Sequence, residues 1–132
     1  MRPHRQGFTL VELVVVIMIL GILAGVAAPK FFNTSKTAGE SSLKQTLAVI
    51  RDAIELYAAQ NGGALPAAVD GDFQSDLAPY LRGTFPKSPV GTANTIKFTA
   101  GVDGTTGWIY AAGNFTANSS ATDDAGTAYS AY

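Results

Sequence analysis

Glu12 is the residue whose setting asks most of chemistry. It is the only ionisable side chain in "FTLVELVVVIMILGILAGVAA", residues 8–28. A carboxylate in an apolar run of this kind must find a cationic partner or lie near a wet interface, because an unpaired charge in hydrocarbon is costly. The other residue types able to do chemistry are sparse. Asp70, Asp72 and Asp76 cluster in a turn-rich stretch, where turn formation and solubility explain them. Asp123 and Asp124 are adjacent carboxylates near the end. The single histidine is His4, there is no cysteine, and no HExxH, P-loop or G-x-S-x-G pattern occurs. These absences argue against an enzyme. The net charge of −1 and the scatter of nine Lys and Arg along the chain leave no basic stripe for nucleic acid.

The element that must position Glu12 is a helix. The 21 residues from Phe8 to Ala28 give a helix of roughly 31 Å at 1.5 Å per residue, which matches a bilayer core of about 30 Å. Arg2, His4 and Arg5 precede the run and Lys30 and Lys36 follow it. The short basic tip places the N terminus in the cytoplasm and the remainder outside the inner membrane. A secretory signal peptide is the rival reading, with "AGVAAP" (24–29) as its cleavage site, but the apolar run is longer than such a segment needs.

Cutting the chain between Gly7 and Phe8 supplies the missing cation. The new α-amine of Phe8, with an ordinary pKa near 8, stands four residues before Glu12. In a bundle of such helices Glu12 of one subunit can pair with the Phe8 amine of the next. That pairing fixes their axial register, because a slipped subunit leaves both charges unpaired.

"GFTLVELVVVIMILGILAGVAAPKF", residues 7–31, resembles the N-terminal signature of the type IV pilin and type II secretion pseudopilin superfamily. The resemblance implies a leader peptide (residues 1–7) removed after Gly7 by a membrane prepilin peptidase. It also implies N-methylation of Phe8, assembly of a homo-oligomeric helical filament through Glu12 and Phe8, and an inner-membrane assembly platform as partner. Residues 8–29 then form the transmembrane and assembly helix. Gly21 and Gly25 make a G-x-x-x-G spacing that lets helices approach closely, although glycine is also simply common in membrane helices. Pro29 removes a helical hydrogen bond and crowds the carbonyl of Gly25, so Gly21 to Pro29 is the part of the helix most able to melt.

Residues 30–132 read as a soluble α+β head. Leu43, Leu47, Ile50, Ile54 and Tyr57 recur at helical spacing, predicting one long helix from Phe8 to about residue 61 whose second half is amphipathic and packs on a small antiparallel β-sheet. Asn61-Gly62-Gly63 stops it. "SDLAPYLRG" (75–83) predicts a short helix capped by Ser75, and "FPKSPVG" (85–91) an irregular segment. "TIKFTA" (95–100) and "TGWIYAAG" (106–113) read as strands joined across the hairpin signal Asp103-Gly104, with "NFTANS" (114–119) as a third. Trp108 reads as a core residue, the tail from Ser120 as mobile, and the N-x-[ST] triplets at Asn33, Asn114 and Asn118 as chance matches. The head resembles, more weakly, that of major pseudopilins and short cysteine-free pilins. This likeness implies a calcium-binding loop near the C terminus, with Asp123 and Asp124 as ligands; carboxylates in a tail are otherwise solvated.

Three functions follow from these readings. The chain is a pseudopilin whose filament works in type II secretion, a true pilin in a surface fibre for adhesion, motility or DNA uptake, or a monomeric membrane-anchored binding module.

Overall fold

The computed structural model describes residues 7–69, 71–90 and 95–132, with the side chains of residues 32 and 33 outside the description. The basic tip, Asp70 and Gly91 at the end of "FPKSPVG" lie outside the described residues. Contacts divide the chain into two compact units, one up to Thr37 and one from Ala38 to Tyr132.

The first unit is the N-terminal part of a single helix, α1 (Leu10–Gln60), which runs through Pro29 without a break in its assignment. Its apolar side chains are exposed, among them Leu10, Val11, Leu13, Ile17, Met18, Leu20, Ile22 and Val26. Withdrawing each of these from water is worth about 1.5–3 kcal/mol, so this half of the helix requires an apolar surrounding. It is long and apolar enough to cross a membrane.

In the second unit α1 continues with a stripe buried in the core. Leu43, Leu47, Ile50, Ala53 and Ile54 are at most 5% exposed, and Tyr57 packs at the edge. The helix ends as its sequence dictates. Gly62 and Gly63 take positive φ, and the Gly63 amide donates to the carbonyl of Ala58 at 2.7 Å, the long-range bond of a Schellman end.

Against the stripe lies a core of aromatic residues from short elements. α2 (Asp72–Leu77) buries Phe73 and Leu77 and passes into a 3₁₀ turn at Ala78–Tyr80. The helix therefore starts earlier than "SDLAPYLRG" suggests. Its N-cap is Gly71, and Ser75 is interior, its amide donating to the carbonyl of Gly71 at 3.0 Å. The demand to bury Phe73 outweighs the local capping preference. Phe73 meets Phe85, Phe98, Tyr110 and Phe115 with ring centroids 4.4–6.0 Å apart. Trp108 is wholly buried and its indole N–H donates to the carbonyl of Pro86 at 3.1 Å. That bond fixes part of the proline-rich segment onto the core.

The sheet has three strands, β1 (Ile96–Lys97), β2 (Trp108–Ala111) and β3 (Asn114–Ala117), in the order β1-β2-β3. It is mixed and not purely antiparallel. β2 and β3 form an antiparallel hairpin, but β1 runs parallel to β2, Ile96 beside Trp108. Asp103-Gly104 is consequently no hairpin turn. It sits in a looped-back connection whose shape is set by a polar knot around Asn118, described below. The actual hairpin turn is Ala112-Gly113, with φ of 52° and 82°, the pair of positive values that two-residue hairpins require. A Cβ on Gly113 would meet Leu65 Cδ1 at 2.9 Å. Gly113→Ala should destabilise the head by about 1–2 kcal/mol, mostly through the strained φ, because Leu65 can swing aside. Chemical denaturation followed by Trp108 fluorescence checks this.

The C-terminal segment is not a free tail. Thr122 bridges Ala128, a 3₁₀ turn spans Tyr129–Ala131, and Tyr129 is 5% exposed with its hydroxyl donating to Glu40 Oε1 at 3.1 Å. Tyr129, with Tyr132 packed against the core beside it, supplies the buried area that orders the segment.

Candidate assembly site at the start of the helix

The start of α1 is built by two residues reading each other. Thr9 is the N-cap. Its amide and its hydroxyl both donate to Glu12 Oε2, each at 2.8 Å, while the Glu12 amide donates back to Thr9 Oγ1 at 3.2 Å. The Leu13 amide donates to the Thr9 carbonyl at 3.2 Å, the first bond of the helix. This is a reciprocal capping box, in which the cap hydroxyl and the third helical carboxylate satisfy amides that a helix start leaves orphaned. The carboxylate also lies at the positive end of the helix dipole.

Reading Glu12 as an isolated charge does not find Thr9. The signal was present, since Thr9-x-x-Glu12 before an apolar run is the pattern of a capping box. Both donors from Thr9 converge on one oxygen, Oε2. Among the described residues no hydrogen bond reaches Oε1. Glu12 therefore organises its own helix through Oε2, and the residue as a whole is exposed. Phe8, one residue before the cap, is 83% exposed, so the atoms needed for a contact with another chain stand at an open helix end.

Gly21 and Gly25 lie one turn apart, and a Cβ on either would meet nothing within 4 Å. They form an open, side-chain-free strip against which a second helix can close. Gly7 is equally unobstructed.

The other candidates fall elsewhere. Asp76 holds a loop, with the Ala67 amide donating to its Oδ2 at 3.0 Å, and Asp72 sits in the first turn of α2. Asn118, the third glycosylation triplet, is 1% exposed, and its amide is fully engaged within the head. At the C-terminal loop Asp123 Oδ1 accepts from the Thr127 amide at 2.7 Å, and Oδ2 accepts from the Tyr132 hydroxyl. These bonds, Tyr132 first, hold the Asp123 carboxyl below the usual range. Among the described residues no three His, Asp or Glu gather as a ligand set. Both side-chain oxygens of Asp123 are thus engaged within the loop.

Comparison with known proteins finds likeness in the N-terminal part of the chain. Residues 2–28 match the prokaryotic N-terminal methylation motif. The chain is 38% identical over 60 residues to the type IV narrow pilus major component PilA5 of Thermus thermophilus, covering 46% of this chain and 52% of that one. It is 41% identical over 59 residues to the prepilin peptidase-dependent protein D of Escherichia coli, covering 45% and 40%. It is 36% identical over 62 residues to the type II secretion system core protein G of Aeromonas hydrophila, covering 46% and 43%. The chain thus spans about half, or less, of the curated relatives it matches. No solved structure matches it. The N-terminal segment carries the prokaryotic N-terminal methylation motif and is similar to the same region of type IV pilins and type II secretion core proteins.

Proposed function

We propose that this chain is a structural subunit of a helical filament, inserted in the inner membrane by α1 and drawn into the filament through the same helix. The observation that carries the reading is the helix start. An exposed carboxylate held by Thr9 stands four residues from exposed Phe8, at which processing would create a cation. Pairing of that cation with Glu12 of a neighbour sets the register, and the open strip at Gly21 and Gly25 admits close helix packing. The exposed apolar half of α1 is covered by lipid before assembly and by other subunits after it. The chain is acted on by a peptidase and an assembly platform and performs no catalysis itself.

Within that class, we assign the chain to the pseudopilins of type II secretion, on its likeness to core protein G. The likeness to a narrow-pilus major component favours a surface fibre as the second reading. Electron microscopy of sheared surface fractions, probed with antibody to this protein, separates them, because long detached fibres at ordinary expression support the pilus.

Processing gives the direct test of the shared reading. Intact mass of the membrane-extracted protein should correspond to a chain beginning at Phe8 and bearing one methyl group. Gly7→Val should leave the precursor uncut in the membrane, since a branched side chain intrudes where a peptidase must reach the backbone. A mature start near Pro29, or normal processing of the variant, would refute it.

A further inference from the structure

The resemblance to pseudopilins implies a calcium ion in the C-terminal loop, and the loop of this chain is organised in a different way. Calcium needs carboxylate and carbonyl oxygens with lone pairs to give. Here the Asp123 side chain accepts from Thr127 on one oxygen and from Tyr132 on the other. The Asp123 amide donates to the Thr127 carbonyl at 2.9 Å, and the Asp123 carbonyl accepts from the Gly126 amide at 3.1 Å. Gly126 makes the tight turn between them with φ of 84°.

Tyr132 is in turn held from α1. Lys44 Nζ lies 4.4 Å from the centre of its ring. Arg51 donates to the Tyr132 carbonyl oxygen through Nη2, and to the Phe115 carbonyl at 3.0 Å through Nε and 2.8 Å through Nη2. Glu40, the acid on this face of the helix, is engaged by the Tyr129 hydroxyl. Lys44 therefore lies beside the residue whose hydroxyl engages Asp123, and its positive charge disfavours a divalent ion there. We infer that Tyr132 stands where a cation would bridge the loop, so that this head closes its C-terminal loop and folds without calcium.

The bond to Asp123 also pushes the Tyr132 hydroxyl up to about 12, keeping it a donor at any physiological pH. The latch joins four parts of the head, α1 through Lys44 and Arg51, β3 through Phe115, the turn at Asp123–Thr127, and the final turn. It goes beyond the filament reading and does not depend on it.

The test uses the full chain in detergent, with Trp108 fluorescence as the reporter of head unfolding. The melting temperature should be the same in excess EGTA and in millimolar calcium. Tyr132→Phe keeps the ring under Lys44 and removes only the hydroxyl. It should lower the melting temperature by at least about 4 °C, the scale on which a domain of this size registers the loss of one ordinary hydrogen bond, equally in both media. Calorimetric titration of the wild-type chain with calcium should give no saturable heat. Stoichiometric calcium binding, a wild-type melting temperature that rises with calcium, or a Tyr132→Phe variant as stable as wild type would each overturn the inference. None of these readouts requires a filament, so failure here and failure of the proposed function are distinguishable.

Discussion

Glu12→Leu should yield a processed, membrane-held protein that forms no filament. The substitution removes an acid from an apolar segment, which by itself favours insertion. If Glu12 served only the membrane, the variant would anchor better and assemble as before. Two other effects oppose this. The capping box is lost, so the Thr9 amide and hydroxyl lose their acceptor at Oε2 and the helix start frays. On the proposed pairing, the Phe8 amine of each neighbour also loses its counter-charge in a low-dielectric surrounding, which is the expensive way to break a pair, because the remaining charge stays desolvated. The expected penalty is roughly a hundredfold or more in the assembly constant for each subunit added. Pelleting assays and electron microscopy should find filament at background.

Glu12→Gln separates the two roles. Glutamine at the third helical position still accepts from Thr9, so the cap persists, while the charge is gone. The pairing argument predicts that Glu12→Gln also fails to assemble, with helix content and cleavage intact. Normal filaments from Glu12→Gln would leave capping as the sole function of this residue and remove the register argument.

Much of this architecture is legible in the residues themselves, and the boundary of legibility has physical causes. Periodicity is a property of one element, so the stripe Leu43-Leu47-Ile50-Ile54 and the Asn61-Gly62-Gly63 stop are read directly and are found in place. Strand direction is a property of the whole head. The parallel pairing of β1 with β2 depends on how residues 98–107 loop back, and a dipeptide such as Asp103-Gly104 serves a hairpin and an internal loop equally well. The C-terminal segment looked mobile because its composition is small and polar, yet Tyr129 and Tyr132 dock on residues of α1 that lie 81 to 89 positions away in sequence. Contacts of that separation leave no local trace. Thr9 is the opposite case, a local signal three residues from Glu12 that is independent of any intermolecular partner.

Asn118 is where the hidden long-range order of the head concentrates, and substitution there should have the largest effect on folding. Its Oδ1 accepts from the amides of Asp103 at 2.9 Å and Gly104 at 3.1 Å, and its Nδ2 donates to Asp103 Oδ1 at 2.8 Å and Thr106 Oγ1 at 2.7 Å. Every donor and acceptor of the side chain is used, and the residue is 1% exposed. Asp103 is held from the other side by Lys97, and its carboxyl is kept far below the usual range by Lys97 first and Asn118 next. Asn118→Leu preserves volume but strands the two loop amides, and should cost about 2–4 kcal/mol at one to three for each group left unpaired, partly relieved by water at the loop.

Asn118→Asp gives the sharper test, through the sign of its pH dependence. In the wild type the lowered Asp103 pKa means that its stabilisation is present above the unfolded value of 3.8 and is lost as pH falls below it. In Asn118→Asp a second carboxylate faces Asp103 where a donor stood. Like charges raise the folded pKa of the new acid, so its stabilising, protonated form is present at low pH and lost as pH rises. Between pH 7 and about pH 4 the variant should gain stability while the wild type does not, the new acid regaining the donor that the amide supplied. Thermal unfolding monitored at Trp108 across that range should show stability rising toward acid in the variant and flat in the wild type. Parallel slopes would mean that Asn118 is not the hub of this loop and that Lys97 alone holds Asp103.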